Sequence, residues 1–211
     1  HNTALHPARY TTEMMLRIKA NLVAAGQKRM WQALYQQAPT PDDGLFFTKE
    51  MFSFFSTRPM RRGSQIFQAW DFAITEQQQS DYTVGITIEQ DHLDNLYVLD
   101  VRRFKTGDGD MIIDNILDYY EEFSKDGEAV DLLGFEDGQI WKSLASFFTR
   151  RCEDRHLFPS FEIMKPQTDK LVRAQPLRGR MQAGKVHFDK NAPYYDTLRA
   201  EMLRFPAGKH D

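Results

Sequence analysis

The stretch from residue 64 to 74, SQIFQAWDFAI, constrains this chain most: seven of its eleven residues are apolar or aromatic. Gly63 precedes it and a polar segment, 75–81, follows. A run this short and this apolar reads as a strand buried on both faces, near the centre of a sheet. Asp71 lies inside it. An isolated buried carboxylate costs on the order of several kcal/mol, so it must be paired, protonated or held against a cation. The other reading puts Asp71 at the strand end, capping a turn. Spacing alone leaves both open.

Around that strand the chain alternates patterns. Residues 11–25 carry Met15, Ile18, Leu22 and Ala25 at helical spacing, with Thr11 or Thr12 as N-cap, and a second short helix follows over 27–35. Prolines and an Asp-Gly pair break regular structure over 36–44. Residues 1–60 read as an arm or linker, docked through Phe46, Phe47, Phe52, Phe54 and Phe55, and 61–211 as the main domain. Strands are expected over 82–90, with Val84, Ile86 and Ile88 on one face, and over 96–104, with Leu96, Val98 and Leu99 inward. With the first strand they make an antiparallel meander. A helix over 111–123 carries Ile112, Ile113, Ile116, Leu117 and Tyr120 as its stripe, and Asp108, Asp110 and Asp114 suit its N-terminal end.

Residues 130–136 form a fourth strand ending at Glu136, and the helical crossover makes it parallel to the first. A helix over 138–151 turns Ile140, Leu144, Phe147 and Phe148 inward. It is followed by a strand over 158–164, a basic segment, a short strand at 186–188 and a helix over 194–204. The expected fold is therefore α/β: a three-stranded antiparallel meander extended by parallel strands, with helices on its faces.

Composition narrows the function. Between residues 71 and 137 there are 18 acidic residues against 4 basic ones, whereas 165–190 holds 7 basic against 2 acidic. An acidic body with a basic segment behind it suits a protein that gathers cations and touches phosphates, although solvated surface charge accounts for most of the acids. The single cysteine, Cys152, excludes an internal disulfide and a cysteine zinc site, and makes a reducing, intracellular setting the simpler expectation. No apolar run approaches the roughly 18–20 residues needed to cross a bilayer.

In this layout Asp71 and Glu136 become neighbours if their strands pair, although 65 positions separate them. Asp211, after the last helix and preceded by His210, is a third candidate. Carboxylates are hard oxygen ligands suited to Mg²⁺ or Mn²⁺. Two such ions roughly 3.5–4 Å apart stabilise the attacking and leaving oxygens of a phosphoryl displacement.

Several stretches carry a family likeness. Trp70-Asp71-Phe72-Ala73, Gly134-Phe135-Glu136-Asp137, residues 170–174 leading to 182–186, and residues 198–206 running into Gly208-Lys209-His210-Asp211 appear in that order. So do Leu5-His6-Pro7, residues 35–39 and Gly44-Leu45-Phe46 in the arm. Together they resemble the C-terminal nuclease domain of the large terminase subunit of tailed bacteriophages, the RNase H-like part of the DNA-packaging motor. The resemblance covers nearly the whole chain. It implies an RNase H-like fold, with residues 1–60 as the linker from a preceding ATPase domain, and a metal-dependent endonuclease that cuts concatemeric double-stranded viral DNA. The small terminase subunit, the portal and a host-cytoplasmic location, transiently at the procapsid portal, are implied with it. The sequence lacks the Gly-x-x-x-x-Gly-Lys-Ser/Thr phosphate loop, so ATP hydrolysis is not expected of it.

By that analogy Asp71 bridges two Mg²⁺ or Mn²⁺ ions, Glu136 holds one, and Asp211 completes the site, although the family continues with further acids beyond its His-Asp pair. Lys170, Arg173, Arg178, Arg180 and Lys185 are candidates for phosphate contacts, against the alternative of a solvated basic loop. His210 is placed to orient a water or leaving group, or is a surface histidine. Asp137 reads as a helix N-cap in preference to a site residue. Two other functions compete. Another RNase H-like nuclease of resolvase or integrase type would prefer branched DNA. A non-catalytic DNA-holding or portal-docking module would keep its acids for structure.

Overall fold

The computed structural model describes residues 13–14, 16–18, 46–58, 63–73, 82–125, 128–165 and 169–206. The chain divides into two compact units, His1–Phe46 and Phe47–Asp211. In the first, residues 13–14 and 16–18 are helical, within the span expected for a helix, while the expected second helix and the turn at 36–44 lie outside the described residues.

The second unit is built on one seven-stranded sheet. In chain order its elements are β1 (Ser53–Phe55), β2 (Gln65–Asp71), β3 (Thr83–Gln90), β4 (Leu96–Phe104), α1 (Gly109–Glu122), β5 (Leu132–Glu136), α2 (Gln139–Arg155), β6 (Phe161–Met164), α3 (Lys170–Gln182), β7 (Val186–Asp189) and α4 (Tyr195–Arg204). Across the sheet the strands run β1-β7-β4-β3-β2-β5-β6. β2, β3 and β4 form the expected antiparallel meander, and every other pairing is parallel, including β2 with β5.

Two elements differ from the expectation. Residues 53–55 are not part of an arm: they form edge strand β1, parallel to β7, so the sheet-bearing unit begins at Phe47 instead of residue 61. Phe52 packs there against Phe188 and Tyr195, with ring centroids 5.2 and 6.4 Å away. The basic segment is not a loop either. It is helix α3, capped by Asp169, whose carboxylate accepts from the Val172 amide at 3.0 Å. Pro176 sits inside it and Met181 is its one fully buried side chain, so neither propensity nor an apolar stripe announces a helix.

The two faces of the sheet are packed differently. On β3 the more deeply buried side chains are Thr83, Thr87 and Glu89, while Val84, Ile86 and Ile88 are half-buried on the other face. Several polar groups on the deeper face are hydrogen-bonded to one another or to groups from distant positions. Gln68 Nε2 donates to Thr87 Oγ1 and to the Tyr119 carbonyl, both at 3.1 Å. Glu89, fully buried, accepts from Arg58 Nε at 2.9 Å and Ser64 Oγ at 2.5 Å. Gly85 leaves room for the Trp70 indole. The apolar face, under α3 and α4, keeps a cavity of about 640 Å³ bounded by Ile86, Ile88, Val98, Leu177 and Leu198.

The helical stripes also shift by a residue. α1 buries Ile112, Ile113, Ile116, Leu117 and Tyr119, with Tyr120 only partly covered. α2 buries Trp141, Leu144, Phe148 and Cys152, and leaves Phe147 exposed. Much of the acidity of α1 is matched by α2: Arg151 Nε lies 3.1 Å from Asp114, and Arg155 Nη2 lies 2.7 Å from Asp118.

Candidate active site at the ends of two parallel strands

β2 and β5 run side by side with Trp70 opposite Phe135, so Asp71 and Glu136 are the next residues on neighbouring strands roughly 4.8 Å apart. Trp70 and Phe135 point into the core under α1 and α2. Strand alternation therefore turns both carboxylates to the opposite face, the one that α3 and α4 cover. Aromatic rings lock this end of the sheet. Phe135 stacks on Trp141 at 4.2 Å, and Phe72, which follows Asp71, stacks on both at 5.9 and 6.1 Å.

Asp71 is exposed at the end of β2 and Glu136 is half-exposed at the end of β5. The expectation of a buried carboxylate is thus corrected: water reaches Asp71, and burial does not dictate its partner. What constrains the pair is proximity. Two carboxylates at adjacent strand ends repel each other, and a cation between them relieves that repulsion. Their donors are hard oxygens, which fit Mg²⁺ or Mn²⁺. Among the described residues no group of three His, Cys, Asp or Glu side chains gathers around a common point. Asp211 and His210, the remaining expected members, lie outside the described residues.

Asp137 is not the N-cap of α2. That position belongs to Gly138, which offers no side-chain cap, and the Asp137 amide instead donates to the Met164 carbonyl at 2.8 Å.

The five basic candidates do not act as one patch. Arg173, in the first turns of α3, brings Nη1 to 3.7 Å from Glu136 Oε2. Lys170, one turn earlier, lies with its ammonium 5.6 Å from the Phe205 ring centroid. Arg178 is half-buried further along the helix. Arg180 and Lys185 belong to the other end of the sheet, where Arg180 Nη1 donates to the Asp94 carbonyl at 3.1 Å and Lys185 Nζ to the Leu93 carbonyl at 3.0 Å. The pairing of Asp71 with Val84 and of Gln65 with Gln90 places that β3–β4 turn opposite the acids.

Asp91 organises the turn. It accepts from the Leu93 and Asn95 amides, both at 2.9 Å, from Asn95 Nδ2 at 2.7 Å and from Tyr97 Oη at 3.3 Å. Burial would raise its pKa, but these donors outweigh it and hold the carboxyl below the usual aspartate range.

Basic residues not singled out from the sequence stand at the acid end. Arg103 is paired with Val84 across β3 and β4, and its Nη1 meets Glu201 at 2.8 Å. The Arg103 guanidinium and the Lys105 ammonium lie over the Tyr82 ring, 3.8 and 4.3 Å from its centroid. Their signal in the sequence is positional: they flank the open end of the β3–β4 hairpin, which faces Asp71. Glu201 and Phe205, through Arg103 and Lys170, bring the C-terminal end of α4 to the same side.

No protein-family model and no curated protein sequence matches the chain. Solved structures do. The human cytomegalovirus terminase nuclease domain, in a manganese-soaked crystal, superposes with a TM-score of 0.52 and 9% identity, covering 69% of this chain and 78% of that one. The large terminase of a thermophilic bacteriophage gives 0.50 and 10% identity, covering 75% of this chain and 35% of that one. This chain thus spans about a third of the phage protein's length. The fold is RNase H-like, a mixed sheet with helices on both faces. Within that class, it is similar to the fold of terminase nuclease domains.

Proposed function

We propose that this chain is a divalent-metal-dependent endonuclease of a viral DNA-packaging terminase, cutting concatemeric double-stranded DNA. The observation that carries the reading is the register of β2 and β5, which sets Asp71 beside Glu136 on one face of the sheet. Asp71 and Glu136 would hold Mg²⁺ or Mn²⁺, with Asp211 as the third ligand. Pro206 leaves α4 on the acid side, and the five residues from there to Asp211 reach at most roughly 17 Å. Divalent ions, when held by these carboxylates, would supply positive charge to stabilise a phosphodiester under attack by water. The remaining work belongs to the chain's own groups: Lys170, Arg173 and Arg178 hold the duplex by its phosphates, without sequence preference. In a longer protein an ATPase domain would precede this unit, and the small subunit and portal would be its partners in the host cytoplasm.

The test is plasmid nicking in Mn²⁺ by the unaltered chain beside Asp71→Ala and Glu136→Ala. Nicking that both substitutions abolish supports the reading. Equal nicking by all three points to a contaminant, and none by any of them favours a DNA-holding module. Cleavage restricted to branched DNA would instead indicate a resolvase-like nuclease.

A further inference from the structure

Resting on that reading, we infer that Arg173 is an exchangeable counter-ion: it neutralises Glu136 while the site is metal-free and transfers to a DNA phosphate once a divalent cation takes the carboxylate. Three observations carry this. First, the contact is an ion pair without a hydrogen bond, Nη1 to Oε2 at 3.7 Å, between side chains 46% and 39% exposed. A pair of that kind is weak, because water screens both charges, and lets go easily.

Second, the position is wrong for helix stability. Arg173 follows the Asp169 cap by four residues, at the end of α3 where the helix dipole disfavours positive charge and favours anions. Its placement is explained by what it faces. Third, two basic residues further along are committed elsewhere: Arg180, two turns on, and Lys185, beyond the end of α3, are hydrogen-bonded to carbonyls at the far end of the sheet.

A guanidinium and a divalent cation at the Glu136 carboxylate compete for its negative charge and repel each other, so each weakens the hold of the other. The released guanidinium stands beside the metal-bearing carboxylates, where the phosphate backbone of a bound duplex would run. Arg173 is therefore a positioning residue with two opposite effects: it weakens metal binding in the absence of DNA and strengthens DNA binding.

The experiment measures Mn²⁺ affinity without DNA, by titration calorimetry or by the free-Mn²⁺ electron paramagnetic resonance signal. It also measures binding of a short random-sequence duplex over a range of salt. Arg173→Ala should bind Mn²⁺ about threefold more tightly, the ratio expected for losing a competing pair of ~0.7 kcal/mol. The same variant should bind duplex more weakly, with a salt slope smaller by about one. Arg173→Lys, which keeps the charge, should match the unaltered chain in both. Unchanged or weaker Mn²⁺ binding by Arg173→Ala, with Glu136→Gln still abolishing it, overturns the exchange and leaves the metal site standing. Mn²⁺ binding untouched by Glu136→Gln and Asp71→Asn overturns both.

Discussion

Replacing Gly85 with alanine sets a methyl group against the indole of Trp70. The added carbon would lie 2.6 Å from two atoms of the benzo ring and 2.8 Å from a third, about 1 Å inside ordinary carbon–carbon contact. The ring has little room to retreat. Trp70 is 2% exposed, and Tyr119 and Phe104 hold it edge-on at 5.5 and 6.3 Å. Overpacking of this kind costs about 1–3 kcal/mol, and the lower chain entropy of alanine offsets about 0.5–1 of it. A net loss of about 1–2 kcal/mol follows, or roughly 2–8 °C in Tm for a domain of this size. Urea and thermal unfolding followed by circular dichroism measure it. The reasoning makes a sharper demand of the double variant. Trp70→Phe leaves a cavity on its own, but beside Gly85→Ala it removes the clashing ring atoms, so the two changes should couple favourably by about 1 kcal/mol. Strict additivity, or a Gly85→Ala chain as stable as the unaltered one, would refute the packing argument.

Two further expectations concern the far end of the sheet. Asp91→Ala removes a carboxylate that accepts from the Leu93 and Asn95 amides and should cost about 1–2 kcal/mol at neutral pH. The Asp91 pKa is lowered in the folded chain, so its contribution is present above the unfolded pKa and fades from about pH 4 downward. A stability gap between the two chains as wide at pH 3 as at pH 7 would contradict this. Arg180→Gln and Lys185→Gln, which remove bonds to the Asp94 and Leu93 carbonyls, should lower stability by about 1 kcal/mol each. Filter-binding should find their duplex affinity unchanged, unlike that of Arg173→Ala, and an equal loss would return them to the DNA-contacting set.

The central meander and the crossover to β5 were legible because turn-forming residues bound each strand and α1 carries an unbroken apolar stripe. That crossover was enough to make Asp71 and Glu136 neighbours on paper. What periodicity could not say was which face of β3 would be driest: Ile86 and Ile88 read as core, yet Thr87 and Glu89 lie deeper because Gln68, Arg58 and Ser64 reach them from distant positions. Helix α3 was hidden by Pro176 and by its lack of an apolar stripe. Strand β1 was hidden by being three residues long inside a phenylalanine-rich run. The Arg173–Glu136 contact depends on α3 and was invisible for the same reason.

The edge strand matters to anyone who would trim this molecule. A fragment starting at residue 61 would leave one side of β7 without its companion and take Phe52 from between Phe188 and Tyr195. It would also take the Arg58 cation from Glu89 and leave the Ser64 hydroxyl to hold that buried carboxylate. Removing one partner of a buried ion pair costs about 3–5 kcal/mol, a large part of what holds a domain folded. Shortened versions should therefore keep everything from Phe47 onward.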